Sequence, residues 1–209
     1  MNLHNYKGYR IRIEHDDNSD DPDDWEDEDR FLIYHHREFT IERAGFDVHE
    51  INKAEDEYYI FPVEAYIHSG VSLSLFKGHK QCRFDSSVTG FILVARNYAD
   101  DNTEQAELYA EGLVETWNHY LSGNVYGFVT YENKPYYSIP KKSFDKCVED
   151  NISILEFKDK LILSDDWNEI DSCWGYYGDP NISGLLEEAK SVIDNLVSKS
   201  GERDLLLQR

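Results

Sequence analysis

Apolar and polar residues alternate along the first part of the chain in runs that are typical of β-strands. Residues 9–13 read Tyr-Arg-Ile-Arg-Ile, and residues 31–34 form a second apolar run after a long polar interval. A period of two residues places alternate side chains on opposite faces of a strand, so that one face can be buried. We therefore predict a strand over each run and a hairpin that joins them through a loop over residues 15–30.

Further runs of aromatic and β-branched residues predict the remaining strands. Residues 91–94 read Phe-Ile-Leu-Val without a polar interruption, which favours a central strand that is covered on both faces. The other runs are shorter or mixed, as expected for strands with one exposed face. The predicted strands are 58–67, 71–76, 88–95, 125–131 and 170–177.

Two segments show instead the spacing of an amphipathic helix. Apolar positions recur every three or four residues over 102–121 and again over 182–198. At the start of the first segment, the side chain of Asp101 or Thr103 can accept hydrogen bonds from the free amides of the first turn. We therefore predict two main helices, each with one apolar stripe.

This order of elements, strands followed by helix, strands and helix, predicts an α+β fold. We expect a mostly antiparallel β-sheet with the two main helices packed on one face. Trp117, on the apolar stripe of the first helix, should be buried against this sheet. The segment 133–168 contains two prolines and little periodicity, and we expect it to be irregular. Neither a repeat nor a linker-like composition interrupts the chain, which predicts a single α+β domain over residues 1–209.

The charge of the chain changes this picture of an ordinary small domain. There are 42 acidic residues against 21 Lys and Arg, a net charge of −21. Solubility needs much less, because a net charge of about 2–8 keeps a small domain soluble. Ten of the fourteen residues in one tract are acidic, and they are Asp16, Asp17, Asp20, Asp21, Asp23, Asp24, Glu26, Asp27, Glu28 and Asp29.

The charge and the cysteines exclude several classes of function. Phosphates repel carboxylates, so direct binding of nucleic acid or of an anionic membrane surface is not expected. Three cysteines at spacings that fit no zinc pattern, with no apolar run of signal-peptide or membrane-span length, favour a reduced cytoplasmic protein. Aromatic residues make up 14% of the chain, unlike disordered acidic sequences, so a folded core is expected.

Four short motifs together resemble an uncharacterised family of acidic proteins carried by phages, plasmids and integrated elements of Gram-positive bacteria. The resemblance rests on residues 65–70 (AYIHSG), 84–91 (FDSSVTGF), 124–128 (NVYGF) and 171–178 (DSCWGYYG). The last motif is the most specific of the four. The resemblance implies a mobile-element origin and a bacterial cytoplasm, but no established chemistry.

This chain departs from the usual pattern of that family at several positions. Ile67 stands where Asp is usual, Phe84 replaces Trp and Ser87 replaces Gly. The last two motifs usually follow each other through a tight turn, whereas here a long segment intervenes. The resemblance therefore implies that residues 133–168 are an insertion.

The acidic tract has the charge density of a nucleic-acid mimic. Fully extended, it spans about 50 Å, or roughly 5 Å per charge, and one DNA strand carries a charge about every 3.4 Å. We therefore expect an acidic inhibitor of a host defence nuclease, either a CRISPR effector or a restriction enzyme, by analogy with other small acidic proteins of mobile elements. The partner would be a basic, nucleic-acid-handling protein. The expected contact residues are the ten acids of the tract together with Glu50, Glu55, Asp56 and Glu57.

A pocket is the alternative, in which the chain is a small enzyme or a ligand-binding domain. His68, Asp85, Cys173 and Trp174 belong to the four motifs and carry groups able to bind a ligand. No catalytic motif supports this hypothesis, because a nucleophile elbow and metalloprotease spacing are both absent. We accordingly expect no catalytic residues, no metal and no cofactor, and the oligomeric state stays open.

Overall fold

A computed structural model describes residues 2–22, 29–36, 39–67, 70–78, 86–150 and 152–207. The chain forms two compact units that are interleaved in sequence. The first unit comprises residues 1–14, 127–174 and 184–209, and the second comprises 15–126 and 175–183. Neither unit is one continuous stretch, and the prediction of a single domain over 1–209 stays a prediction.

The second unit is built on a five-stranded sheet. Its strands, β3 (Arg30–His36), β4 (Phe39–Ile41), β5 (Tyr58–Ile67), β6 (Val71–Leu75) and β7 (Ser86–Ala95), lie in the order β4-β3-β7-β5-β6. The described registers are antiparallel throughout. Strand β7 is the central one, and its residues 92–94 are fully buried, as the continuous apolar run predicted.

Helix α1 (Thr103–Leu121) covers one face of this sheet. Its apolar stripe packs on Ile92 and Val94 of β7, and Trp117 is completely buried there. Leu93 points to the opposite face, where it joins a smaller cluster with Phe31 and Ile51. The helix begins one residue later than predicted, because Asn102 caps it through hydrogen bonds from the amides of residues 104 and 105, whereas the predicted caps were Asp101 and Thr103.

The first unit contains most of a four-stranded sheet and the last helix. The strands are β1 (Asn2–Tyr6), β2 (Tyr9–His15), β8 (Val125–Asn133) and β11 (Trp167–Tyr177), in the order β1-β2-β8-β11. Helix α4 (Leu185–Leu207) buries Leu185, Ala189 and Ile193 at the predicted spacing of four. The ammonium group of Lys7, in the β1–β2 turn, lies 2.8 Å from the carboxylate of Asp194 on this helix.

The α+β class and the antiparallel pairing are confirmed, but one local prediction is wrong. The strands at 9–13 and 31–34 do not form a hairpin, because β2 pairs with β1 and β8 whereas β3 pairs with β4 and β7. The acidic tract therefore connects two different sheets. The two main helices likewise belong to different units.

The segment 133–168 is regular rather than irregular. It contains β9 (Tyr136–Ser138), helix α2 (Lys141–Glu149), helix α3 (Ile154–Lys158) and β10 (Ile162–Ser164). Strands β9 and β10 pair with each other in a two-stranded antiparallel sheet. The two ends of the segment meet, since the amide of Lys134 donates to the carbonyl of Asp166 at 2.7 Å.

Because the two ends of the segment are already hydrogen-bonded to each other, we predict that the fold tolerates loss of the segment. Replacing residues 135–165 by an Asn-Gly turn should leave a folded protein, because a two-residue turn can join strand ends that are already hydrogen-bonded. The measurement is near-UV circular dichroism of the deletion variant beside the wild type. Loss of the near-UV signal, or insolubility, would place the segment in the core of the first unit.

Candidate functional site

Antiparallel pairing brings two of the predicted acidic segments to one end of the five-stranded sheet. Strands β3 and β5 both flank β7, and both begin where β7 ends. The amide of Ala95 donates to the carbonyl of Asp29 at 2.6 Å, and the next amide, of Arg96, donates to the carbonyl of Glu57 at 2.9 Å. Because neighbouring strands lie about 4.8 Å apart, the starts of β3 and β5 are separated by roughly 10 Å.

The turn between β7 and α1 adds two acids that the sequence argument missed. Asp100 and Asp101 lie in the turn that begins after Ala95, the last residue of β7, and both have left-handed backbones, with φ of 50° and 54°. Aspartate tolerates this conformation better than most residues. The amide of Asp101 donates to the carbonyl of Arg96 at 2.8 Å, which holds the turn against the end of β7. The adjacent aspartates were visible in the sequence, but only the pairing of β7 shows their neighbours.

We call the resulting set the acidic rim. Its members other than the half-buried Asp29 are exposed. The backbone of each member either makes sheet or turn hydrogen bonds itself or lies between residues that make them. The end of the sheet that presents these charges is therefore rigid. The acidic rim consists of Asp29, Glu55, Asp56, Glu57, Asp100 and Asp101.

The basic residues at this end of the sheet form no described ion pair with Glu55, Asp56, Glu57, Asp100 or Asp101, the exposed members of the acidic rim. The guanidinium of Arg96 donates to the backbone carbonyl of Glu55 at 2.9 and 3.1 Å, and it lies over the ring of Tyr59 at 4.3 Å. The guanidinium of Arg30 lies over the ring of Tyr98, 5.7 Å from its centroid. Among the residues that the structure describes, the exposed members of the acidic rim form no salt bridge, so their charge faces outwards.

The first part of the acidic tract is held by its own backbone and carboxylates. One carboxylate oxygen of Asp16 accepts from the amide of Asn18 and the other accepts from the amide of Gly175, at 3.2 Å each. The hydroxyl of Tyr177 donates to the carbonyl of Asp20 at 2.8 Å. Asp16 therefore serves to anchor the tract to the DSCWGYYG motif, which leaves it less free to meet a partner.

The other predicted contact residues are distributed unevenly. Asp17 and Asp20 are exposed, and Asp21 is half-buried. Glu50 lies with Glu57 and Asp47 around a shallow concavity of about 450 Å³, where Lys53 pairs with Glu50. The remaining predicted residues, Asp23, Asp24, Glu26, Asp27 and Glu28, lie outside the described residues.

Only two of the four residues of the alternative pocket lie within the described part of the chain. His68 and Asp85 lie outside the described residues. Cys173 is half-buried and Trp174 is 44% exposed, and the indole of Trp174 lies directly against the backbone of Gly127. The NVYGF and DSCWGYYG motifs are therefore neighbours on adjacent strands, where a side chain on Gly127 would displace the indole.

This contact gives a test of why the NVYGF motif contains glycine. A methyl group at Gly127 would overlap the indole of Trp174 and lie 2.8 Å from the carbonyl of Cys173. Gly127→Ala should therefore cost about 1–3 kcal/mol of the free energy of unfolding, by overpacking. The matched control is Gly112→Ala, in an open position of α1, which should stabilise by about 0.5–1 kcal/mol. Urea denaturation measures both, and equal stability of the two variants would show that the indole moves without cost.

A second concave site lies between β5, β6 and α1. It has a volume of about 400 Å³, with apolar walls formed by Leu73, Leu75 and Val114. The carboxylate of Glu64 faces it and is only 5% exposed, at the point where the register between β5 and β7 shifts by one residue. Its described partner is the hydroxyl of Ser74, which donates at 3.4 Å.

Lys77 also lines this cavity, but its ammonium group pairs with carboxylates of α1. It pairs with the carboxylates of Glu111 at 2.9 Å and Glu107 at 3.8 Å. The hydrogen bond with Glu111 raises the pKa of Lys77 above its ordinary value, with the negative charges of both glutamates adding to the effect. Lys77 therefore remains charged and bound to α1, and Glu64 lacks a close cation of its own among the described residues.

Metal ligation and membrane insertion find no support in the described residues. Within them, no three His, Cys, Asp or Glu side chains gather closely enough to hold a metal ion. Over the same residues, no helix combines the length and the apolar character needed to cross a bilayer. Comparison with protein-family models, with curated proteins and with solved structures finds no significant match to this chain.

Proposed function

We propose that this protein binds a basic surface of a nucleic-acid-handling protein through the acidic rim and the adjoining acidic tract. The observation that carries the proposal is the convergence of separate acidic segments at one end of the five-stranded sheet. The net charge of −21 supports it, because so much uncompensated charge costs stability in the compact state. A surface selected for a charged partner accounts for that cost.

The acidic rim acts by occupying the partner's groove, and no chemical step is required. Carboxylates on a rigid sheet end need little ordering on binding, which lowers the entropic cost of association. Complementary charge accelerates encounter and disfavours partners of the same sign. Nucleic acid and this protein then compete for the same basic groove.

The setting that fits this activity is the cytoplasm of a bacterial host. The four motifs resemble proteins of phages, plasmids and integrated elements, for which a host defence nuclease is a natural target. A CRISPR effector or a restriction enzyme presents the basic channel that the proposal requires. The chain would then be an inhibitor encoded by a mobile element.

Competition with nucleic acid tests the proposal. Wild-type protein and a variant with Glu55, Asp56, Glu57, Asp100 and Asp101 changed to Gln or Asn are immobilised and exposed to a bacterial lysate. Asn at 100 and 101 keeps a residue that tolerates positive φ. We expect the wild type to retain nucleic-acid-binding proteins that a DNA duplex displaces and that the variant does not retain. Equal retention by both columns, or retention insensitive to duplex, contradicts the proposal.

The cavity at Glu64 supports a second candidate function, the binding of a small amine. A buried carboxylate is costly unless it is partnered, and Glu64 has only one weak described hydrogen bond. Apolar walls above a carboxylate suit an alkyl chain that ends in an ammonium group. This function corresponds to the ligand-binding alternative, placed in a different pocket from the one that the motifs suggested.

Titration with n-butylammonium tests this second function. Amide chemical shifts at Leu73, Ser74 and Val114 should move with an apparent millimolar Kd in the wild type. Glu64→Gln, which keeps the shape and removes the charge, should weaken binding at least about fivefold, the loss of one charge-assisted hydrogen bond. The control is Glu104→Gln, because Glu104 is exposed on α1 and does not line the cavity. Unchanged affinity in Glu64→Gln removes this function.

A further inference from the structure

The cavity between β5, β6 and α1 changes in character from its inner end to its mouth. At the inner end the lining residues are buried, with Glu64 5% exposed, Leu73 3% exposed and Val114 8% exposed. At the mouth the side chains of Lys77 and Glu111 are 68% and 46% exposed. A ligand that enters therefore meets a carboxylate where the cavity is buried, apolar side chains along the walls and further charged groups where the cavity opens.

The mouth already binds the chemical group that the inner end lacks. The ammonium of Lys77, a primary amine on an alkyl chain, lies 2.9 Å from a carboxylate oxygen of Glu111 and 3.8 Å from one of Glu107. The described partner of Glu64 is instead the hydroxyl of Ser74, which donates at 3.4 Å. A buried carboxylate without a close cation is costly. Among the residues that the structure describes, the cavity thus has two carboxylates and an ammonium partner for the outer one.

The charge of the lining favours a second cation over an anion at the mouth. The lining residues carry two carboxylates, Glu64 and Glu111, and one ammonium, that of Lys77. Glu107 adds a further negative charge beside that ammonium. A ligand carboxylate would be repelled by Glu107 and Glu111 as it approached Lys77, whereas a ligand ammonium is attracted by both. The net charge of −21 acts in the same direction, because it raises the concentration of cations around the protein.

A ligand ammonium can replace that of Lys77 on Glu111 at little cost. Both side chains of the Lys77–Glu111 pair are exposed, and exposed ion pairs contribute little to stability. Glu111 lies on α1 one turn before the buried Val114, and residues three apart on a helix lie on the same face. The position of Glu111 at the mouth is therefore set by the helix, and it does not depend on the lysine.

Building on the binding of an amine at Glu64, which is the second candidate function, we propose that the ligand of this cavity is a linear α,ω-diamine. One ammonium group binds the carboxylate of Glu64, and the alkyl chain lies against the apolar walls. The second ammonium group replaces that of Lys77 on Glu111. Lys77 is then an internal competitor, which holds the outer carboxylate until the ligand arrives.

Titrations of the full chain with three small molecules of four carbon atoms test the second contact. The probes are n-butylammonium, 1,4-diaminobutane and 4-aminobutanoate, and amide chemical shifts give each Kd. We expect the diamine to bind at least about fivefold more tightly than the monoamine, because either of its ends can bind Glu64 and one exposed charge pair is added. The amino acid should bind more weakly than the monoamine. The amides of Lys77 and Glu111 should shift with the diamine and hardly with the monoamine.

Two matched pairs of variants separate the second contact from general electrostatic attraction. Glu111→Gln should reduce the diamine's advantage over the monoamine to about twofold, the statistical effect of two equivalent ends. Glu104→Gln makes the same change of charge on α1 away from the cavity and should leave that advantage unchanged. Lys77→Met removes the competing ammonium and should increase the advantage at least about twofold. Its control is Lys53→Met, at a lysine that pairs with Glu50 outside the cavity.

The possible results distinguish failure of the diamine from failure of the amine function itself. If neither amine binds, or if Glu64→Gln leaves both affinities unchanged, the amine function is wrong and the diamine proposal is wrong with it. If the monoamine binds through Glu64 but Glu111→Gln keeps the wild-type advantage of the diamine, only the diamine proposal is overturned. Tighter binding of 4-aminobutanoate than of the diamine, or an equal loss of advantage in Glu104→Gln and Glu111→Gln, overturns it as well.

Discussion

Trp117→Ala should lower the free energy of unfolding by about 3–5 kcal/mol, the usual cost of removing a fully buried aromatic side chain. Trp117, on α1, is 0% exposed and belongs to the same buried cluster as Ile92 and Val94 of the sheet. Its ring meets that of Tyr120 edge-on, with centroids 5.9 Å apart. Truncation loses these contacts and leaves a cavity that the central strand cannot close.

Leu108→Ala is the matched control for this prediction. Leu108 lies on the same helix but is 60% exposed, so its truncation should change stability by less than about 0.5 kcal/mol. Urea denaturation of both variants, with the near-UV circular dichroism of the native state, measures the difference. Equal stabilities would show that Trp117 does not fill the core of the second unit.

Most of the regular elements could be predicted from the sequence where the apolar pattern is long. The ten residues of β5 and the centre of β7 are delimited by their pattern, because strands with a buried face must keep their register. Strand β1 was missed because it is mostly exposed and carries little alternation. Strands β9 and β10, with three residues each, are too short for a period of two to be visible.

Strand pairing could not be predicted, and that is why the hairpin was misplaced. The run at 9–13 has the pattern of a half-buried strand and the run at 31–34 is continuously apolar, and neither pattern specifies a neighbouring strand. The choice depends on long-range contacts with β8 and β7. The cap of α1 was misplaced by one residue, a limit set by the similar capping ability of Asp, Asn and Thr.

The sequence predicts that the candidate site is made of acidic residues, but it predicts only some of the positions that form it. The acidic tract and the run at residues 55–57 are conspicuous in the sequence, but they lie far apart along it. Only their shared neighbour, β7, brings Asp29 and Glu57 together. Asp100 and Asp101 join them through the same strand end. The anchoring role of Asp16 depends on its contact with Gly175, which no local pattern indicates.

Neutralising the acidic rim should weaken partner binding about tenfold or more at low salt. Exposed charge pairs contribute about 0.2–1 kcal/mol each, and five are removed together in the variant of Glu55, Asp56, Glu57, Asp100 and Asp101. The fold should be retained, because all five side chains are exposed and the Asn102 cap is untouched. A second variant, with Asp20, Asp21, Asp23, Asp24, Asp27 and Glu28 neutralised, isolates the contribution of the acidic tract.

A control with the same change of net charge separates position from total charge. The residues Glu149, Asp150, Asp159, Glu187 and Glu188 are exposed acids of the first unit. Changing these five to Gln or Asn alters the net charge as much as the acidic-rim variant does. If binding depends on the acidic rim, this control should keep nearly the affinity of the wild type.

The most direct test of the acidic rim is the affinity for one captured partner at two salt concentrations, such as 50 and 300 mM. We expect the wild type and the first-unit control to bind tightly at low salt and to lose affinity steeply as salt screens the charges. The acidic-rim variant should bind weakly at both concentrations, with a shallow dependence on salt. Equal affinity and equal salt dependence for the acidic-rim variant and the wild type would contradict the account.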